Sequence, residues 1–396
     1  MHKFLDVKKD IFWVGALDPD LRVFDIIMYS DYGTTYNSYI VKGTEKTVLF
    51  ETVKEKFFDE FLERLSGVST VSEIDYVVIS HTEPDHTGSL SKLLELNPDI
   101  TVVGSASAIK FLKEILNKDF NALAVKDGCP IDIGGKTLEF FSVPNLHWPD
   151  SIYTYIKESK ALFTCDSFGC HFSDERIFND LIGFDEDFIK AYKYYFDCIF
   201  GPYKAFVLQA LEKIKDLEIE TICNGHGPVI RDNPAKYIEM YKTWAQPIEK
   251  QNKITVCYVS SYGYTEKLAL EIVKGVESCG FTAKLFNLLD VSLEEVMVEI
   301  STSKGLLIGS PTMVSDTLPP IHNLLSSLNP VVHKGLYAGA FGSYAWSGEA
   351  VKNIESRLNQ LRLNVPVQGL SALLNPSESD LEKARNFSQE FTKSLK

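Results

Sequence analysis

Four side chains that can bind a metal ion lie together in the segment His-Thr-Glu-Pro-Asp-His, residues 81–86. The run before it, residues 74–80, is rich in Val and Ile and therefore predicts a β-strand, and Pro84 ends the pattern. Active sites of α/β folds favour loops at the C-terminal ends of strands. The alternative is a solvated polar loop that happens to contain two histidines.

Three further candidates, His147, Asp166 and His226, each follow a run that predicts a strand. Taken singly, each would more simply be a structural polar residue. Together with the first segment they form the ordered set His-x-Glu-x-Asp-His, His, Asp, His. Seven ligands suffice for two metal ions with open positions, and an aspartate between two ions can hold them about 3.5–4 Å apart.

This ordered set resembles the metallo-β-lactamase superfamily, whose usual first motif is His-x-His-x-Asp-His. Glu83 replaces the second histidine of that motif. Carboxylates are hard anionic ligands that suit iron, whereas a histidine-rich site suits zinc. The replacement therefore favours a redox-active di-iron centre over a zinc hydrolase.

The elements that must position these ligands mix irregularly up to about residue 250. Strands are predicted over the runs 11–14, 22–28, 36–41, 47–50, 74–80, 100–103, 137–143, 152–156, 161–164 and 219–223. Helices are predicted over 54–65, 186–217 and 234–250. Many strands with helices between and outside them indicate an α/β fold of the layered αββα type. The polar segment 246–253 is interpreted as a linker.

After this segment the chain alternates regularly between strand and helix. Strands are predicted over 254–259, 282–288, 305–309, 336–341 and 367–372, and helices over 265–278, 293–300, 320–327, 349–361 and 379–393. Five such units predict a doubly wound parallel sheet. The predicted domains are thus 1–250 and 254–396.

Three loops of this second domain could hold a flavin. The first, 260–266, joins a strand to a helix and contains no basic residue, so backbone N–H groups at the helix start would bind a phosphate. The other two follow the third and fourth strands and meet the first at the sheet edge. A Gly-x-Gly-x-x-Gly dinucleotide motif is absent from the first loop. The candidate residues are Ser260, Tyr262, Gly263, Tyr264, Thr265, Pro311, Thr312, Met313, Val314, Gly342, Ser343, Tyr344, Ala345, Trp346, Ser347 and Gly348.

Composition excludes several classes of function. The net charge of −14 disfavours nucleic acid, because phosphate binding needs a basic face. No apolar run is long enough to span a membrane, and no secretory signal is seen. The seven cysteines form no Cys-x-x-Cys pair, which argues against a fused rubredoxin and is typical of reduced thiols in the cytoplasm.

The loops around Tyr344 and Trp346 resemble those of flavodoxin and imply FMN. A metallo-β-lactamase-like domain with Glu83, followed by a flavodoxin-like domain, resembles the flavodiiron (A-type flavoprotein) family over nearly the whole chain. The stretches 32–39 and 224–228 also resemble it. Two small departures from the family pattern are Glu51, where aspartate is more usual, and Ala345, where glycine is common.

The resemblance implies FMN and two non-haem iron ions, bridged by an oxo or hydroxo species. It implies His81, Glu83 and His147 on one iron, Asp85, His86 and His226 on the other, and Asp166 on both. The implied activity is reduction of dioxygen to water, of nitric oxide to nitrous oxide, or both. It also implies an external donor such as rubredoxin, and a head-to-tail homodimer in which the FMN of one chain faces the di-iron site of the other; dimers of such dimers are a further possibility.

Trp148, Tyr194 and Tyr195 are candidates to line the substrate pocket, with core packing as the alternative. The other histidines, His2, His171, His322 and His333, are interpreted as surface or structural residues. Two other functions stay open. One is a two-zinc hydrolase tethered to an electron carrier, and the other is an electron shuttle whose first half only provides a dimer surface.

Overall fold

The structure, a computed structural model, describes residues 4–26 and 28–395. The chain forms two compact units, Met1–Gln246 and Pro247–Lys396. No helix within the described residues is long and apolar enough to cross a membrane.

The first unit is built on two mixed sheets. Its strands are β1 (Leu5–Lys8), β2 (Ile11–Trp13), β3 (Ala16–Asp18), β4 (Val23–Phe24), β5 (Met28–Tyr29), β6 (Thr34–Tyr36), β7 (Tyr39–Lys42), β8 (Thr47–Phe50), β9 (Tyr76–Val78), β10 (Thr101–Ser105), β11 (Asn121–Val125), β12 (Ile131–Asp132), β13 (Thr137–Ser142), β14 (Ile152–Ile156), β15 (Ala161–Cys165) and β16 (Thr221–Asn224). The larger sheet has the order β1-β2-β7-β8-β9-β10-β11, and the smaller one the order β12-β13-β14-β15-β16.

Helices cover the outer faces of the two sheets. They are α1 (Phe58–Ser66), α2 (Pro84–Thr87), α3 (Leu90–Leu96), α4 (Ala106–Leu116), α5 (Asn179–Ile182), α6 (Glu186–Tyr195), α7 (Lys204–Ile214) and α8 (Pro234–Trp244). Because side chains alternate along a strand, β8 contributes residues both to the core between the sheets and to the core beneath the helices. Phe50 stacks on Phe163 of the other sheet with ring centroids 3.9 Å apart, while Leu49 packs toward the helices. The predicted αββα sandwich is confirmed.

Two runs of the first unit that were each predicted as one strand contain two strands. The run 22–28 is a hairpin of β4 and β5 whose turn residues Asp25 and Ile26 have φ values of 47° and 71°; Ile27 lies outside the described residues. The run 36–41 divides into β6 and β7, because the amide of Asn37 leaves the ladder and donates to the carbonyl of Gly225 at 2.8 Å.

Two of the predicted helices of the first unit were too long. The run 186–217 is not one α-helix, because a π-helical turn, Phe196–Phe200, and a 3-10 turn, Gly201–Tyr203, separate α6 from α7. Pro202 in the second turn has no amide to donate. The last helix ends at Trp244 and does not reach residue 250. The sequence patterns did not reveal α3, α4 or β11, all of which flank the predicted strand 100–103.

The second unit is a five-stranded sheet between two helix layers. Its strands are β17 (Gln251–Tyr258), β18 (Thr282–Asn287), β19 (Ser303–Gly309), β20 (Tyr337–Tyr344) and β21 (Leu370–Leu373), and its helices are α9 (Tyr264–Ser278), α10 (Leu293–Thr302), α11 (Pro319–Ser327), α12 (Glu349–Gln360) and α13 (Glu378–Lys393). All strand pairs are parallel, in the order β18-β17-β19-β20-β21. This is the predicted doubly wound sheet, which is confirmed.

Two boundaries in the second unit differ from the prediction. The segment 251–253 is not linker, because β17 already begins at Gln251 and the buried Lys253 forms an ion pair with Glu299. The strand predicted to end at Phe341 continues to Tyr344, since β21 pairs with its last four residues. The start of the third predicted flavin loop is therefore strand.

Candidate functional site

The seven predicted metal ligands come together at one edge of the two sheets of the first unit. His81 and Glu83 follow β9, and Asp85 and His86 lie on α2. The other three lie after β13, β15 and β16, and they are His147, Asp166 and His226. All seven are buried except His147, whose side chain is 17% exposed.

One carboxylate oxygen of Asp166 faces the first group of ligands. Its Oδ2 lies 2.9 Å from Nε2 of His147 and 3.5 Å from Nε2 of His81. Oε2 of Glu83 lies 2.9 Å and 3.3 Å from the same two nitrogens. Two imidazoles and two carboxylates thus point at one small volume.

The other carboxylate oxygen of Asp166 faces a second group. Its Oδ1 lies 2.9 Å from Nε2 of His86 and 3.4 Å from Nε2 of His226. Oδ2 of Asp85 lies 3.1 Å from Nε2 of His226, and Oδ1 lies 3.6 Å from Nε2 of His86. Asp166 is therefore placed between two separate sets of donors.

The ligands shift one another's pKa strongly. Burial lowers the pKa of His147, but hydrogen bonds with Asp166 and Glu83 outweigh the effect of burial and raise this pKa to about 10. Burial likewise lowers the pKa of His86, yet the charges of Asp85 and Asp166 raise it to about 9. Burial raises the pKa of Asp166, but the surrounding imidazoles hold it well below its usual range. Three carboxylates thus remain ionised beside four imidazoles.

These residues fit a pair of metal ions. Oδ1 of Asp85 is buried and has no hydrogen-bond donor. Buried carboxylates are unfavourable unless a cation or a donor compensates them. Two divalent cations in the two donor sets would balance three carboxylates and leave the imidazoles neutral, as metal ligation requires.

The outer sides of two ligand rings are held by the first unit itself. Nδ1 of His226 donates to the backbone carbonyl of Thr35 at 2.6 Å. Nδ1 of His81 lies 2.9 Å from Sγ of Cys165. Gly225 also shapes the site, because a Cβ there would lie 2.7 Å from Cε1 of His86.

Sequence reasoning missed the contacts of Cys165 and the position of His171. His171 is buried, with its ring centroid 5.2 Å from that of His226, so it is part of the site surroundings and not a surface residue. Its place five residues after Asp166 could have indicated this. His2 lies outside the described residues, while His322 is exposed and the buried His333 bonds the backbone of Asn329.

The predicted pocket aromatics occupy different positions. The ring of Trp148 lies 6.0 Å from that of His81, and the buried Tyr195 lies 6.2 Å from His226. Tyr194 contacts no ligand; its side chain is 40% exposed. Tyr195, Tyr194 and His171 line a cavity of about 640 Å³.

Two carboxyl groups near the ligands were not among the predicted ligands. Glu51 is buried and accepts a hydrogen bond from the amide of Ser80 at 2.9 Å, and burial raises its pKa. Asp25, on the β4–β5 turn, has a pKa raised to about 6 by burial and by its hydrogen bond with Glu83.

The predicted flavin loops lie together at the C-terminal edge of the sheet in the second unit. The hydroxyls of Thr265 and Ser343 are 2.8 Å apart, and the amide of Thr312 donates to the carbonyl of Ser343 at 2.9 Å. Tyr262 and Trp346 are 79% and 93% exposed, which leaves two aromatic rings largely open to solvent beside the loops. Exposed aromatic rings around a helix N-terminus without basic residues fit a flavin mononucleotide.

Family models match both units. Residues 34–227 match the ODP family beta lactamase model, and residues 256–387 match the flavodoxin model. The first unit is thus a metallo-β-lactamase-like domain and the second a flavodoxin-like domain. Together they define a flavoprotein with a metal centre.

Relatives narrow this class. The chain is 40% identical to the flavo-diiron protein FprA2 of Clostridium acetobutylicum over 398 residues, which cover 99% of both chains. It is 38% identical to the type A flavoprotein fprA of Rhodobacter capsulatus, covering 96% of this chain and 89% of that one.

Solved structures agree with this. The rubredoxin oxygen:oxidoreductase of Desulfovibrio gigas superposes with a TM-score of 0.73 at 30% identity, covering 99% of this chain and 98% of the other. The flavodiiron protein of Giardia intestinalis superposes with a TM-score of 0.69 at 30% identity, covering 99% of this chain and 97% of the other. The chain belongs to the flavodiiron protein family. It is an oxidoreductase whose cofactors are FMN and a di-iron centre.

Proposed function

We propose that this protein reduces dioxygen to water, nitric oxide to nitrous oxide, or both. The observation that supports this most directly is the placement of Asp166, whose two oxygens face two separate donor sets. When bound, the iron pair and the FMN supply the redox chemistry, since dioxygen needs four electrons and a pair of nitric oxide molecules needs two.

The proposed ligand assignment follows the two donor sets. His81, Glu83 and His147 hold one iron, and Asp85, His86 and His226 hold the other, with Asp166 shared between them. The distances within each set, between 2.9 and 3.6 Å, support this division. Three carboxylates among seven ligands favour iron over zinc.

The proposed FMN site consists of three loops of the second unit. The amides at the start of α9, from Gly263 to Thr265, bind the phosphate, and the exposed rings of Tyr262 and Trp346 pack on the flavin. The loops 311–314 and 342–348 reach its polar edge. We also propose 1–250 as the di-iron domain and 254–396 as the FMN domain, although the compact units divide slightly earlier, after Gln246, and β17 begins at Gln251.

Residues around the metals orient ligands and limit water. Thr35 and Cys165 hold the rings of His226 and His81 from the outside. Trp148 and Tyr195 present aromatic surface toward the ligands. The cavity lined by Tyr194, Tyr195 and His171 comes near the donor sets, since the ring of His171 lies 5.2 Å from that of His226.

An external protein reduces the FMN in this proposal. The solved neighbour from Desulfovibrio gigas is named a rubredoxin oxygen:oxidoreductase, which supports a rubredoxin as the donor. We also propose the head-to-tail homodimer, which would bring the FMN of one chain near the iron of the other. Sedimentation of the active protein at assay concentration should give a dimer or a dimer of dimers, and a purely monomeric active species would contradict it.

The deciding experiment is anaerobic reduction of the iron- and FMN-loaded protein, followed by separate electrode assays with dioxygen and with nitric oxide. Consumption of at least one gas is expected. The variant His81→Asn should lose this activity and iron while it retains FMN.

Two zinc ions per chain without consumption of either gas would instead indicate a hydrolase. Full activity of His81→Asn would indicate that the first unit is not catalytic.

A further inference from the structure

The second of the proposed flavin loops contains a strained turn. Its central residues, Val314 and Ser315, have φ values of 53° and 59°. Non-glycine residues rarely adopt this region, and a β-branched residue such as Val least of all. The turn is closed by two backbone hydrogen bonds, from the amide of Met313 to the carbonyl of Asp316 at 3.0 Å and in the reverse direction at 3.1 Å.

The carboxylate of Asp316 ties this turn to two helices. It accepts hydrogen bonds from Nδ2 of Asn353 on α12 at 2.8 Å and from the amide of Thr317 at 2.7 Å. Nε2 of His322 on α11 lies 3.3 Å from it and 2.9 Å from Oγ1 of Thr317. Hydrogen bonds from Asn353 and from the Thr317 amide lower the pKa of Asp316, so the carboxylate is ionised at neutral pH.

The rest of the loop is fixed to its neighbours. Oγ1 of Thr312 accepts a hydrogen bond from the amide of Ala350 at 3.2 Å, and Oγ of Ser310 accepts one from the amide of Leu318. Oγ of Ser261, in the first loop, donates to Sδ of Met313 at 3.3 Å. Between these anchors the side chain of Val314 projects with 99% exposure. The strain is thus confined to a tip that Asp316 anchors on one side.

We infer that Asp316 is a positioning residue for FMN, which holds the strained turn in the conformation that receives the flavin. This rests on the proposed assignment of 311–314 to the FMN site. Without the carboxylate, Val314 and Ser315 can relax to negative φ, which moves Met313 and the tip. Only the fraction of apoprotein that keeps the turn would then bind, so the apparent affinity for FMN falls by that fraction.

The test measures the dissociation constant of FMN from the apoprotein by quenching of flavin fluorescence. Asp316→Ala should weaken binding between about threefold and tenfold, the range expected for exposed hydrogen bonds. Asn353→Ala should weaken it in the same direction. Asn359→Ala is the matched control and should leave the affinity unchanged, since Asn359 lies on the same helix and its side chain donates to the carbonyl of Glu355 within that helix.

A second substitution separates positioning from direct contact. Glycine adopts positive φ without strain, so Ser315→Gly should restore most of the affinity in the Asp316→Ala background and have little effect alone. Hydrogen exchange of the amides of residues 312–317 in the apoprotein should be faster in Asp316→Ala and slower again in the double variant.

The outcomes test the proposed FMN site and the positioning role of Asp316 separately. If the unaltered chain binds no FMN, the proposed flavin site is wrong. If it binds FMN and Asp316→Ala binds it equally well, the positioning role is wrong while the site stands. If Asp316→Ala binds weakly and Ser315→Gly restores nothing, Asp316 does not act through the turn, and the inference is likewise overturned.

Discussion

At the scale of single residues, the rings of two proposed histidine ligands are oriented by what contacts their outer ring nitrogen. His226 is held by a backbone carbonyl, whereas His81 is held by the sulfur of Cys165. Metal-bound histidines generally donate their outer N–H to such a partner, which fixes the tautomer and the ring orientation. Cys165 is therefore expected to support the proposed metal site through the ring of His81.

We predict that Cys165→Ala lowers the affinity for iron by about 10–100-fold, the usual effect of losing such a partner. Cys165→Ser should retain most of the affinity, because its hydroxyl can accept the same hydrogen bond. Iron content after dialysis against graded chelator measures this, with FMN content as the internal reference.

Cys223→Ala is the matched control for this prediction. Cys223 lies on the adjacent strand β16, buried in the apolar cluster between the two sheets. Iron binding by Cys165→Ala that equals that of the control would contradict the role assigned to Cys165.

At the scale of elements, α13 shows how a local signal and a tertiary contact combine. Oγ of Ser377 accepts a hydrogen bond from the amide of Asp380, and the carboxylate of Asp380 accepts one from the amide of Ser377, which forms a capping box. The helix then packs closely on α9, since a Cβ on Gly275 would lie 2.0 Å from Oγ of Ser388.

We predict that Ser377→Ala destabilises the second unit by about 1 kcal/mol, the typical loss for a capping side chain. Urea unfolding at neutral pH, followed by circular dichroism, measures the change. Ser379→Ala, an exposed position in the first turn of the same helix, is the control and should change stability much less.

The same capping box makes the stability of the second unit depend on pH through Asp380. Hydrogen bonds from Ser377 and Lys383 lower the pKa of Asp380 to about 2. A carboxyl whose folded pKa is lowered contributes stability above its unfolded pKa, and this contribution is lost as the pH falls through the folded value. Asp380→Asn should therefore remove part of the stability loss between about pH 4 and pH 2. An unchanged acid slope in this variant would contradict the assignment.

At the scale of the whole molecule, the two units have separate cores. The first has one apolar cluster between its sheets and another beneath its helices, and the second has one cluster on each face of its sheet. Each cofactor should thus stabilise the unit that binds it.

We predict that FMN raises the unfolding free energy of the second unit by about 2.7 kcal/mol at one hundred times its dissociation constant, with little effect on the first. Removal of iron should lower the unfolding free energy of the first unit, with little effect on the second. Calorimetry of the four combinations of iron and FMN measures both effects. A single transition that responds equally to the two cofactors would contradict this independence.

Much of the fold followed from local patterns along the chain. The five strands and five helices of the second unit, and strands such as β8 and β14, were predicted within a few residues because alternating or continuous apolar runs encode them. Element boundaries that depend on distant partners were not predicted. The amide of Asn37 bonds to Gly225 and not to a neighbouring strand, and Lys253 at the start of β17 forms an ion pair with Glu299. Neither partner can be read from the neighbouring residues.

For the site, the sequence by itself determined the types and the order of the candidate ligands, because an imidazole or carboxylate after one strand is common, whereas an ordered set of seven after several strands forms a specific pattern. Only the tertiary structure decided which donors face each oxygen of Asp166, that Cys165 supports His81 across 84 positions, and that His171 lies beside His226. These contacts arise where strands distant in the chain end side by side, and that adjacency is set by the packing of two sheets and not by any local run of residues.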